Sequence, residues 1–138
     1  MGGIVPLSNT GPLPVDPRSP SLARRFIDEF GDVPSSLVDR VKLVVSELVT
    51  NAVRHSGMSQ GEIIDLRLLP SPDVVRVEVR DSGRGLPMEA NRGVSLSELK
   101  ASGMGLYVVS QVADRWGADS TNGATVWAEF DIGPRRLA

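Results

Sequence analysis

Three short stretches of this 138-residue chain place polar groups where chemistry could use them. In VVSELVTNAVRHSG, residues 44–57, Glu47 and Asn51 stand one helical turn apart amid valine and leucine. A carboxylate and an amide in such company are costly to bury unless something needs them there. At about 100° per residue, Glu47, Asn51 and Arg54 fall within roughly 60° of one another on a helix, aimed toward one point. An interhelical hydrogen bond or a Glu47–Arg54 ion pair would account for the same pattern. The wet face of this helix is expected around Asp39, Lys42, Ser46 and Thr50.

The second stretch is DSGRG, residues 81–85, directly after an alternating run. Asp81 at a strand end, followed by Gly83 and Gly85, leaves little bulk beside its carboxylate. That group could accept a hydrogen bond from an exocyclic amine, or the segment could be an ordinary turn. The third stretch, SGMGLYVV, sets Gly103 and Gly105 at the entry to a helix. Helix N-termini attract anions, and glycine lets phosphate oxygens come close. The G-K-[ST] of a P-loop is absent, and a dinucleotide G-x-G-x-x-G fails because its third glycine would fall at Met88.

These groups need elements to hold them. SPSLARRFIDEF, residues 19–30, reads as a helix with Ser19 or Ser21 as cap and Gly31 as stop. A longer helix is capped near Ser35 or Ser36 and closed by Gly57. EIIDLRLLP and DVVRVEVRD are strand-like, the second alternating Val75, Val77 and Val79 with Arg76, Glu78 and Arg80. A third helix is predicted over GMGLYVVSQVADRWG, residues 103–117, then a short strand or turn at ADSTN and a final strand over GATVWAEFDI. Residues 1–20 hold five prolines and three glycines, an extended lead-in with one edge strand around GPLPV. The order suggests an α+β two-layer sandwich, three helices on one face of a mixed or antiparallel sheet of four or five strands.

Bulk properties narrow the function. With 41% hydrophobic and 23% charged residues the chain suits one ordinary globular domain. A net charge of -2 argues against a nucleic-acid binder, which needs a basic surface. There is no cysteine, hence no disulfide, thiolate metal site or cysteine nucleophile. No apolar run reaches the roughly 20 residues of a membrane span, and no secretion signal is recognisable, so a cytoplasmic location is expected.

Taken together, E-x-x-x-N on a helix, D-x-G-x-G after a strand and G-x-G-L opening a helix resemble the Bergerat ATP-binding fold of gyrase, Hsp90, histidine kinases and MutL. SELVTNAVRHSG resembles its N-box, DSGRG its G1 box and SGMGLYVV its G2 box. ADRWGA and GATVWAEF resemble the small stand-alone ATP-binding proteins of actinobacteria related to RsbW-type anti-sigma factor serine kinases. The resemblance implies a proline-rich lead-in over residues 1–14, an ATP-binding domain over 15–132 and a frayed tail over 133–138. It implies that Asp81 binds the adenine amino group, with Thr125 helping through a water, and that Gly83 and Gly85 shape the adenine pocket. Asn51 would coordinate Mg²⁺, and Gly103, Met104, Gly105 and Leu106 would line the phosphates. Residues 86–102 would form a lid; Arg84, Arg92 and Lys100 are candidate phosphate contacts, with solvated loop charges as the alternative for each. His55 would line the pocket edge or cap its helix, and Glu47 would be the general base.

The implied activity is phosphorylation of a serine or threonine on an anti-sigma factor antagonist, with a sigma factor as the second partner. The alternative is a non-catalytic module that controls a partner when ATP binds. The family also suggests dimerisation, although no feature of this sequence carries it.

Overall fold

The computed structural model describes residues 9–30, 33–55, 63–81, 105–119 and 124–133. They form β1 (Asn9–Pro14), α1 (Ser19–Phe30), α2 (Val38–His55), β2 (Ile63–Pro70), β3 (Val74–Asp81), α3 (Gly105–Val112), β4 (Arg115–Asp119) and β5 (Ala124–Asp131). The strands make one sheet in the order β1-β2-β3-β5-β4, with every neighbouring pair antiparallel. The sheet is thus the antiparallel form of the expected α+β sandwich. None of the described helices is long and apolar enough to cross a membrane.

The proline-rich segment contributes β1, an edge strand. Pro12 and Pro14 occupy alternate positions there, where a missing N–H is tolerated because an edge strand bonds on one side only. Gly11 shares the buried side with Leu13, and a Cβ on Gly11 would come within 2.7 Å of the Phe26 ring of α1. The absent side chain lets α1 lie close against the edge. The helix start is set by Asp16, whose carboxylate accepts from the Arg18 N–H at 2.7 Å. Ser19 does not act as the expected cap, since its buried hydroxyl donates to the Pro14 carbonyl and ties α1 to β1.

Period-two alternation divides the sheet. Ile64, Leu66 and Leu68 of β2, Val75, Val77 and Val79 of β3, and Val126, Ala128 and Phe130 of β5 are buried on one face. Against them pack Ile27 of α1, Val41, Val44, Val45, Leu48 and Val49 of α2, and Leu106 and Val109 of α3. The outer face is closed by charge. Arg76 donates to Glu78 and Glu129 at 2.8 Å each, and Arg115 donates to Glu129 at 2.9 Å and also to Asp131. The Arg115 guanidinium, and then Arg76, hold the Glu129 carboxyl below its usual range against an opposing cost of burial.

Two expectations are corrected here. The third helix ends at Val112 rather than running to Gly117, and Arg115–Asp119 is strand β4. The Asp114 N–H donates to the Glu129 carbonyl at 2.9 Å, so β5 captures the chain as the helix ends. Trp116 then packs against the core, while Gly117 stands opposite Trp127, whose indole lies where a Gly117 Cβ would be, 2.6 Å away. A helix could not place Trp116 inward and Gly117 beneath Trp127 at once. The wet face of α2 is also displaced. Ser46 is buried, with its hydroxyl satisfied by the Leu43 carbonyl at 2.9 Å, whereas Leu43 is 41% exposed. Exposed Asp39, Leu43 and Arg54 and half-exposed Glu47 and Thr50 make up the outer stripe.

Candidate nucleotide site

Among the described residues the buried polar side chains are few enough to examine singly: Ser19, Ser46, Asn51 and Asp81. The two serines are satisfied by nearby backbone carbonyls. Asn51 is the exception, because its side-chain Nδ2 is buried and makes no hydrogen bond. A buried amide without a partner costs about 1–3 kcal/mol, and such groups call for an explanation beyond packing. The close approach of Gly105 supplies one. A Cβ on Gly105 would lie 2.9 Å from Asn51 Nδ2 and 3.2 Å from Oδ1. The first residue of α3 therefore has no side chain where α2 presents its amide.

Three elements converge on the helical side of the sheet. α2 packs against both β3 and α3. Asp81, the last residue of β3, is 6% exposed and continues the buried set Val75, Val77 and Val79. Gly105 and Leu106 are buried at the N-terminus of α3, where unpaired N–H groups concentrate positive potential. Glu47 lies one turn before Asn51 on α2 and is half-exposed. It forms no ion pair with Arg54 among the described residues, so that account of the pair falls away.

Thr125 does not join this group. It pairs with Arg80, and Ala124 pairs with Asp81. Because strand side chains alternate, Thr125 faces the opposite side of the sheet from Asp81. There it lines a groove of about 240 Å³ with Arg67, Arg76, Glu78, Arg80, Asp119 and Trp127. The expected role of Thr125 beside the adenine is corrected accordingly. Gly83, Arg84, Gly85, Lys100, Gly103 and Met104 lie outside the described residues, as do the lid and its Arg92. The His55 backbone closes α2, and its side chain lies outside the description as well.

The donor set suits a hard cation. An asparagine oxygen is a magnesium ligand type, and magnesium commonly takes one or two protein oxygens plus phosphate oxygens and waters. Among the described residues no group of three or more histidine or acidic side chains could hold a metal by itself. The unpartnered Nδ2 is a donor that fits a phosphate oxygen, while the Asn51 oxygen is the atom that could hold a cation shared with that phosphate.

Comparison with known proteins identifies the family and the fold. A family model described as a histidine kinase-like ATPase domain matches residues 13–130. An anti-sigma F factor of Geobacillus kaustophilus is 34% identical over 114 residues, which cover 78% of this chain and 77% of that protein. The serine-protein kinase RsbW of Staphylococcus epidermidis is 27% identical over 99 residues, covering 64% of this chain and 62% of that one. In fold, the chain is similar to the crystal structure of the RsbU and RsbW domains of Rv1364c from Mycobacterium tuberculosis. That likeness has a TM-score of 0.61 at 17% identity and covers 95% of this chain but 34% of that chain. The chain also spans 26% of a longer sensor histidine kinase that it matches. With the family model covering nearly all of the sheet and helices, the chain belongs to the histidine kinase-like ATPase domain family and is an RsbW-like ATPase of the GHKL type.

Proposed function

We propose that this chain is an ATP-binding anti-sigma factor and a protein serine/threonine kinase acting on an anti-sigma factor antagonist. It works in the cytoplasm with a sigma factor as its second partner. The observation that carries the nucleotide site is the buried, unpartnered Nδ2 of Asn51 against Gly105, on the same sheet face as Asp81. Similarity to anti-sigma F factor and to the serine-protein kinase RsbW supports the activity and the class of partners.

In this reading Asp81 accepts a hydrogen bond from the adenine amino group, and Gly83 and Gly85 give the base room. Gly103, Met104, Gly105 and Leu106 present backbone N–H groups to the phosphates at the start of α3. The Asn51 oxygen holds magnesium, which offsets phosphate charge when bound. Glu47 sits toward solvent, where a partner's hydroxyl can reach it. It takes the hydroxyl proton as that oxygen bonds to the γ-phosphorus and the bond to the β–γ bridging oxygen breaks, releasing ADP. A positioned general base contributes about 10²–10⁴ in rate.

The test has two arms. Calorimetric titration with ATP, with and without Mg²⁺, should show magnesium-dependent binding that Asp81→Asn abolishes. Glu47→Ala should keep that binding and lose at least 10²-fold in transfer of radiolabelled phosphate to the antagonist. Absence of ATP binding by the native chain would sink the nucleotide reading. Binding without transfer, with the partner still controlled, would identify a non-catalytic ATP-gated module instead.

A further inference from the structure

Helix α3 is held at both ends by α2. Asn51 meets its first residue, Gly105. At its other end the Arg40 Nη2 donates to the Val112 carbonyl at 2.6 Å. Val112 is the last residue of α3, and its carbonyl belongs to the final turn, whose acceptors have no partner within the helix. A guanidinium there satisfies that acceptor and opposes the negative end of the helix dipole. Arg40 is itself held. It lies 3.7 Å from Asp114, just past the helix, and 5.5 Å from the centroid of the fully buried Phe130 ring.

The spacing matters as much as the contacts. Arg40 and Asn51 are eleven residues apart on α2, or about 16 Å along its axis, while α3 spans about 10 Å from Gly105 to Val112. The two helices therefore run antiparallel along one another. Since α3 has only eight residues, it behaves as one rigid piece, and a shift at its C-terminus is a shift at Gly105.

We propose that Arg40 is a positioning residue for the phosphate side of the nucleotide site. It fixes the axial position of α3 and so the distance between the N-terminal amides of α3 and the Asn51 amide. This rests on the nucleotide reading above, in which the start of α3 meets phosphate. Asp81 lies on β3 rather than on α3, so recognition of the base does not depend on Arg40. ATP and adenosine must then respond differently to its loss.

The experiment compares ATP with Mg²⁺ and adenosine as calorimetric titrants of the native chain, Arg40→Met and Arg40→Lys. Arg40→Met keeps the apolar stem and removes every donor, and should weaken ATP by about five- to twentyfold while leaving adenosine within twofold. Arg40→Lys retains a donor and a charge for the Val112 carbonyl, and should recover most of the ATP affinity. Equal weakening of ATP and adenosine in Arg40→Met would mean a general loss of structure and would overturn the proposal. Unchanged ATP affinity would overturn it as well. If Arg40→Met does not fold, Arg40→Gln, which removes the charge and most of the donors, decides by the same ratio, because it should weaken ATP while leaving adenosine within about twofold. Failure of the native chain to bind either titrant would remove the nucleotide site and this proposal with it, a result distinct from the variant outcomes.

Discussion

Replacing Gly105 by alanine separates helix stability from ligand geometry. On helix propensity alone, alanine should be favoured over glycine by up to about 1 kcal/mol, since glycine loses more backbone freedom on folding. The structure opposes that gain. The new Cβ would lie 2.9 Å from Asn51 Nδ2 and 3.2 Å from Oδ1, so about half an ångström of movement is needed to restore ordinary contact. Asn51 is 7% exposed and cannot swing freely into solvent. Forcing extra volume into such a site costs about 1–3 kcal/mol, so the net effect should lie between neutral and about 2 kcal/mol destabilising. For a domain of this size that is a fall in Tm of at most about 10 °C. The ligand effect should be larger in relative terms. In the reading proposed above, moving the Asn51 amide away from the new Cβ also moves the oxygen that would hold magnesium, a cation that tolerates little change in ligand geometry. ATP affinity in the presence of Mg²⁺ should fall at least tenfold, equivalent to about 1.4 kcal/mol, while adenosine should bind nearly as before. Thermal unfolding and calorimetric titration of Gly105→Ala measure both quantities. A variant that is more stable than the native chain and binds MgATP normally would refute the argument, because it would mean that Asn51 does not need the space that Gly105 leaves.

Other consequences are as specific. Gly117→Ala should destabilise the fold by about 1–3 kcal/mol and alter tryptophan fluorescence, because its Cβ would meet Trp127 at 2.6 Å while Arg76 lies 4.4 Å from that ring centroid on the same face. Denaturant unfolding followed by fluorescence checks both. The depressed Glu129 carboxyl contributes stability that is present above its unfolded value of about 4.3 and is lost as pH falls through its lower folded value. The Tm difference between the native chain and Glu129→Gln should therefore be fullest near neutrality and shrink below about pH 4. A difference that stays constant down to pH 3 would remove Arg115 and Arg76 as its cause.

Much of this molecule is local enough to be read from the chain. The helix over residues 19–30 and the strand ending at Asp81 stand where their periodicities place them, because apolar spacing and strand alternation are properties of neighbouring residues. So is the pairing of Glu47 and Asn51 one turn apart on one helix. The parts that escaped depend on partners distant in sequence. RWGAD continues a helical pattern on paper and becomes β4 only because β5, ten residues later, offers Glu129, Trp127 and Thr125 to pair with it. Ser46 is buried and Leu43 exposed because α1 and α3 settle on α2 at an angle that its own sequence does not state. Thr125 is the sharpest case. Its strand alternates, with Val126, Ala128 and Phe130 turned to the core, but Trp127 on the other side blurs the pattern. Only the register that sets Ala124 opposite Asp81 reveals that Thr125 faces away from the site. The sequence alone determined which residues are candidates for the chemistry and the period of most elements, β4 excepted. The tertiary structure decided the phase of each element, since a one-residue change of register turns a strand side chain to the other face.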